Sequence, residues 1–268
     1  MSSRASFSQI VTFATDPLHG NPAFVLSGAK GISDHALATA CAILGADVAA
    51  VVDEPSGGET PLRFFTPEGP HGGAGHATVA AAHTVLREGS ARARSIVFHL
   101  PNGDSRAAYR EGDRIYVDFP AMPATRIDRI AEMAAALGAR PRETWAAPFG
   151  YVAIFDDPAV IADMRPDLAR VSAFDRTAVI ATAPGDAAAD IVLRVFAPNA
   201  GLPEDPVCGT AHRIIVPYWA ERTGKRKIHS RQLSARGGDL WCEDKGDSVV
   251  IGGDTTLVIE GTVRLPDG

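Results

Sequence analysis

Residues 65–78 read FTPEGPHGGAGHAT, and residues 194–212 read RVFAPNAGLPEDPVCGTAH. The two stretches share one grammar. A strand-like run ends at Phe65-Thr66-Pro67 or at Phe196-Ala197-Pro198. A loop rich in Gly, Pro and polar residues follows. Gly75-His76-Ala77-Thr78 or Gly209-Thr210-Ala211-His212 then opens a helix. The echo implies an internal duplication of about 130 residues, far longer than solenoid units of roughly 20–50 residues. Two similar α/β domains are therefore expected rather than a repeat array.

Working outward, the first half reads as strands at Phe7–Ala14 and Ala23–Leu26 around the turn Pro17–Pro22. A helix runs from Ser33-Asp34 to Leu44 and stops at Gly45. Strands at Val48–Asp53 and Leu62–Thr66 lead to the glycine loop and to a helix from His76 to Arg87. Further strands are expected at Ser95–Leu100, Ser105–Arg110 and Arg114–Phe119, before a connector at Pro120–Pro123. The second half has a helix at Asp128–Leu137 and strands at Tyr151–Phe155, Ala178–Thr182 and Ile191–Phe196. A helix at Gly209–Arg222 follows, then short strands at Ile228–Ala235, Asp239–Glu243, Ser248–Ile251 and Leu257–Glu260. The expected fold class is α/β (α+β), with two pseudo-symmetric domains, 1–121 and 122–268. Each is a curled mixed sheet or barrel around a central helix. Whether the last strand crosses back to the first domain stays open.

Composition limits the function. The chain has 268 residues, 46% hydrophobic and 22% charged, with 26 Gly and 19 Pro. That supports a turn-rich folded core without a staple. A formal charge of −6 argues against nucleic acid or anionic membranes as partners. The first twenty residues contain no apolar stretch long enough for a signal peptide, and no run of about 18 apolar residues occurs anywhere. Cys41, Cys208 and Cys242 are an odd, sparse set, which points to a reducing cytoplasm. His71, His76 and the cysteines lack zinc spacing, so no metal site is expected. The glycine loop lacks the Lys-Ser/Thr of a phosphate-binding loop, and no Gly-X-Ser-X-Gly elbow exists.

The paired junctions carry chemistry. A helix N-terminus offers amides without internal partners and the positive end of a dipole. Two of them facing each other suit a carboxylate, or an enolate developing beside one. Gly75 and Gly209 permit close backbone approach. His76 and Asp205 are candidate proton carriers, and Thr210 is a hydroxyl donor or a helix cap. Cys208 is a reactive thiol at a helix start or a buried inert one. Ala74 stands at its counterpart position in the first half.

The ordered set Phe13…Gly20-Asn21-Pro22, Phe65-Thr66-Pro67-Glu68, Gly75-His76-Ala77-Thr78, Arg194-Val195-Phe196-Ala197-Pro198, Glu204 through His212, and Gln232…Arg236-Gly237-Gly238 resembles the phenazine-biosynthesis PhzF-like family. It spans nearly the whole chain. The resemblance implies a two-domain diaminopimelate-epimerase-like fold and a cofactor-free isomerase moving a proton on a small carboxylate substrate held between the domains. It implies catalytic roles for His76 and Asp205, and substrate binding by Gly75, Cys208, Gly209 and Thr210. The family's general acid/base is a Glu. Counting forward from Gly20-Asn21-Pro22 puts Val48 there, and counting back from Phe65-Thr66-Pro67 puts Asp47 there. A deletion within Pro55–Thr60 reconciles the counts and favours Val48. Asp47 is the candidate base, one methylene shorter than Glu. With Ala74 replacing the epimerases' first Cys, a two-thiol racemase is not expected. Two alternatives stand: a non-catalytic small-acid-binding protein on the same scaffold, and an enzyme using Cys208 alone. A homodimer is compatible with the sequence.

Overall fold

The computed structural model describes residues 3–53, 59–88 and 94–265. The chain forms two compact units, Met1–Asp118 with Gly252–Gly268, and Phe119–Ile251. The sequence division at 121/122 leaves open whether the last strand crosses back, and in the structure the segment from Gly252 lies with the first unit.

In the first unit, β1 (Ser3–Thr12) pairs antiparallel with β2 (Asn21–Ser27). Helix α1 (Asp34–Leu44) crosses over to β3 (Ala49–Val52), parallel to β2, and β4 (Thr60–Thr66) returns antiparallel. The short β5 (Gly69–His71) folds back on β4. Helix α2 (Gly75–Glu88) then crosses to β6 (Ser95–His99), parallel to β4. Strands β7 (Ser105–Glu111) and β8 (Arg114–Pro120) follow antiparallel. The residues that set α1 were legible: the Ser33 hydroxyl accepts from the Ala36 amide at 3.3 Å, and Gly45 closes the helix with φ +65°. Its inner face packs Leu37 and Cys41 against Leu26, Phe65 and Leu265.

The second unit repeats this plan. After β9 (Thr125–Ile127) and α3 (Ile130–Leu137), β10 (Glu143–Ala146) pairs antiparallel with β11 (Gly150–Ile154). Two short helices, α4 (Pro158–Ala162) and α5 (Leu168–Ser172), cross to β12 (Ala178–Pro184), parallel to β11. Strand β13 (Ile191–Phe196) returns antiparallel. Helix α6 (Gly209–Thr223) crosses to β14 (Lys227–Gln232), parallel to β13, and β15 (Gly238–Asp244) pairs back. The last strand is β16 (Ser248–Leu265). Strand order β1-β2-β3-β4-β6-β7-β8 thus matches β10-β11-β12-β13-β14-β15-β16, with parallel steps at the same two places. The duplication inferred from two short junctions extends through both topologies.

Each junction helix serves its own unit. In α2, Ala77, Val79, Ala80 and Ala81 are buried and the helix lies on β1, β2 and β3. In α6, Ile214, Ile215, Val216 and Trp219 are buried, and the Trp219 indole donates to the Thr182 hydroxyl at 3.1 Å. Pro217 interrupts α6 and removes the amide that would reach the Arg213 carbonyl. The Met122 amide takes that carbonyl instead, at 3.0 Å, so the Pro120–Pro123 connector completes the helix's bonding.

Several elements differ from the sequence reading. Ser248–Ile251 and Leu257–Glu260 are one strand, because Thr255 and Thr256 pair with Thr12 and Val11 where the Gly252-Gly253-Asp254 run suggests a turn. Strand β5 contains Pro70 and, among the described residues, pairs only with β4, as an edge strand allows. Strands β9 and β10, and helices α4 and α5, are too short for periodicity to reveal. No helix among the described residues is long and apolar enough to cross a membrane.

Candidate functional site

The loop between β13 and α6 is held by the backbone groups of Asp205, Pro206 and Cys208. The Asp205 amide donates to the Val195 carbonyl at 2.9 Å, and the Asp205 carbonyl accepts from Gln232 Nε2 at 2.6 Å. The Pro206 carbonyl accepts from the Ser234 hydroxyl at 2.5 Å. The Cys208 amide donates to Gln232 Oε1 at 2.9 Å, and the Cys208 carbonyl lies 2.8 Å from His212 Nδ1. A carbonyl only accepts, so Nδ1 carries the proton and Nε2 accepts from the Ser230 hydroxyl at 2.9 Å. Upstream, Arg194 pairs with both oxygens of Glu204.

This scaffold leaves Asp205 beside the first turn of α6. Burial pushes its carboxyl up to about 6, against hydrogen bonds from the Cys208 thiol and the Val207 amide; the neighbouring Glu204 charge adds to the rise. The Asp205 carboxyl therefore exchanges protons close to neutrality. Cys208 is buried at the N-cap of α6. Burial and the Asp205 charge hold its thiol well above the usual range, despite the amides of Ala211 and Thr210 facing the sulfur. It is a hydrogen-bond donor to Asp205 rather than a thiolate. Gly209, buried, and Thr210, half-buried, are the first two residues of α6.

In the first unit, Ala74 precedes α2 and its carbonyl accepts from both the amide and the hydroxyl of Thr78, at 2.9 and 2.8 Å. Gly75 begins the helix. His76 follows, half-buried, with no hydrogen bond to its ring among the described residues. The protein packed around it lowers its pKa to about 4, so the imidazole is neutral. The preceding loop is braced by the Gly73 amide donating to His71 Nδ1 at 3.2 Å.

Asp47 and Val48 lie in the bend between α1 and β3, Asp47 exposed and Val48 half-buried. The strand starts at Ala49, one residue later than expected. Asp47 forms no hydrogen bond or ion pair among the described residues. Of the segment 55–60 proposed for the deletion, residues 55–58 lie outside the described residues. Cys41 and Cys242 are buried packing residues; burial raises the Cys41 thiol to about 11.

The structure thus gathers Asp205, Cys208, Gly209 and Thr210 on one junction and Gly75 with His76 on the other. Sequence reasoning assigned no role to Ser230, Gln232, Ser234 or His212, which hold the Asp205 loop. The signal that reveals them is alternation: residues 228, 230 and 232 of β14 are buried, and two of these three are polar.

Two matching strand–loop–helix junctions on one repeated mixed-sheet topology define a two-unit α/β protein. The profile of the phenazine biosynthesis-like protein family matches residues 10–261. Two Pseudomonas aeruginosa proteins, each named an uncharacterized isomerase, are 34% and 36% identical, over 97% and 96% of this chain and 98% of each relative. The crystal structure of an Enterococcus faecalis protein of the PhzF family superposes with a TM-score of 0.91 at 32% identity, covering 98% of this chain and 99% of that one. The chain belongs to the phenazine biosynthesis-like (PhzF) family.

Proposed function

We propose that this chain is a cofactor-independent isomerase or epimerase that moves a proton on a small carboxylate-bearing metabolite. The observation that carries the reading is the Asp205 carboxyl, raised to about 6 and seated at the start of α6. General acid/base work is most efficient when the group's pKa lies near the working pH. His76 is neutral and its ring has no hydrogen bond among the described residues, so one ring nitrogen can donate and the other accept. The amides at the start of α6, beside Asp205, suit a substrate carboxylate or the enolate formed when a neighbouring C–H proton leaves. The names of the P. aeruginosa relatives support the reaction class.

The test is solvent exchange. Candidate small carboxylates are incubated with the protein in deuterated water, and deuterium at the reactive carbon is followed by NMR. The reading expects incorporation that is lost in Asp205→Asn and in His76→Phe. Undiminished incorporation in Asp205→Asn would sink the assignment. The Val48 side chain and the exposed position of Asp47 favour a second reading, a small-acid-binding protein without turnover. A tight carboxylate ligand that never exchanges a proton would select it.

A further inference from the structure

We propose that Gln232 is the positioning residue that sets the Asp205 carboxyl against the start of α6, acting from a polar stripe on β14. Ser230 and Gln232 stand two residues apart on β14, where alternate side chains share one face, and Ser234 follows two residues further on in the bend after the strand. Each reaches a different part of the same turn. Ser230 meets His212, which binds the Cys208 carbonyl. Gln232 binds the Asp205 carbonyl and the Cys208 amide. Ser234 donates to the Pro206 carbonyl while accepting from the Gly237 amide at 3.0 Å.

The middle position has the strictest chemistry. A backbone acceptor at Asp205 and a backbone donor at Cys208 must be satisfied by one side chain that is 1% exposed. A planar amide does both; a carboxylate only accepts, an ammonium only donates, and a thioether does neither to any extent. Serving both groups fixes the amide's orientation, with Nε2 toward Asp205. It also clamps the two ends of the Asp205–Cys208 turn to one rigid group, which holds the Asp205 side chain beside the Cys208 thiol that donates to it. The Asp205 amide is already committed to Val195, so Gln232 controls the remaining backbone group of that residue. The inference rests on Asp205 being the proton carrier, and it adds what keeps that carboxyl in its crowded, poorly hydrated place.

The experiment reads the carboxyl directly and needs no substrate. Protein labelled with 13C at aspartate side chains is titrated by NMR, and the Asp205 signal is identified by its absence in Asp205→Asn. Amide hydrogen exchange is measured on the same samples. In Gln232→Met, which keeps length and packing, the Asp205 midpoint is expected to fall toward the ordinary carboxylate value by about one pH unit, roughly a tenfold change in proton affinity. The Cys208 amide should exchange about tenfold faster once its acceptor is gone, while amides of α1 keep their rates. Gln232→Glu retains an acceptor, so its Cys208 amide should stay protected. An Asp205 midpoint in Gln232→Met within about two-tenths of a pH unit of the wild-type value overturns the proposal. Failure of both variants to fold also overturns it, by making Gln232 a residue of general stability. Because none of these readouts involves turnover, they stand apart from the solvent-exchange result that decides the function.

Discussion

Arg194 grips Glu204 with two parallel hydrogen bonds, Nε to Oε1 at 2.7 Å and Nη2 to Oε2 at 2.8 Å. The pair is largely shielded, at 11% and 20% side-chain exposure. The third nitrogen donates to the Met164 carbonyl at 2.8 Å, so one guanidinium ties β13, the turn after α4 and the loop leading to Asp205. Lysine cannot reproduce that planar fork. Arg194→Lys is expected to cost roughly 1–3 kcal/mol, read as a lower urea midpoint with an unchanged slope. Glu204 also raises the Asp205 pKa through its charge. Weaker compensation of Glu204 should push the Asp205 midpoint further up, and a downward shift would contradict this account.

His212 predicts an acid-sensitive fold. Burial lowers its pKa from 6.5 to about 4. Between those values the unfolded chain binds a proton that the folded one refuses. The contribution is therefore complete above pH 6.5 and is lost as pH falls toward 4, on the order of 3 kcal/mol across the window. His76 and His83 shift in the same direction. Asp205 opposes them: its raised pKa means the folded state binds the extra proton between 3.8 and about 6, so its contribution grows as pH falls. Three depressed histidines against one raised carboxyl leave a net loss of stability from pH 6.5 to 4. Urea midpoints across that range should fall, and His212→Asn should flatten the slope. A flat wild-type profile would refute the assignment.

The thiol at Cys208 should be chemically quiet. Nucleophilic reactivity follows the thiolate fraction, and burial with Asp205 nearby suppresses it. Iodoacetamide at pH 8 is expected to modify the native protein at Cys208 far more slowly than the urea-unfolded chain, because burial and the Asp205 charge deplete the thiolate. Cys208→Ser keeps a donor to Asp205 and should retain solvent exchange within about tenfold. Rapid alkylation of the native thiol, with activity abolished in Cys208→Ser, would revive the lone-cysteine mechanism.

How much of this was legible in the sequence depends on whether the signal is local. Ser33 and Gly45 mark α1 to the residue because caps are local chemistry. The junctions at Gly75 and Gly209 are legible for the same reason. The bonds around Asp205 were not, because Gln232 lies 27 positions along the chain and its role appears only once β14 is laid parallel to β13. The continuity of β16 was hidden by Gly252-Gly253-Asp254, which reads as a turn, so whether the last strand returns to the first unit could be raised from the sequence and not decided. Asp47 illustrates the opposite limit: its chemistry is plausible, yet one residue of slip between α1 and β3 decides where it stands.

Gly252 shows why a turn-like glycine sits inside a strand. A Cβ there would lie 2.2 Å from Cδ1 of Tyr116, whose ring stacks on Tyr109 with centroids 5.1 Å apart and planes 11° apart. The ring occupies the space a side chain would need, and it cannot swing aside without breaking the stack. Gly252→Ala is thus an overpacking change, with an expected cost of roughly 1–3 kcal/mol. The cause can be isolated with a double-mutant cycle. In a Tyr116→Ala background the clash partner is gone, and Gly252→Ala should cost about 1 kcal/mol less than in the wild type, or stabilise by limiting the unfolded chain. Equal costs in both backgrounds, measured by urea denaturation, would show that backbone conformation rather than the Tyr116 ring dictates glycine at this position.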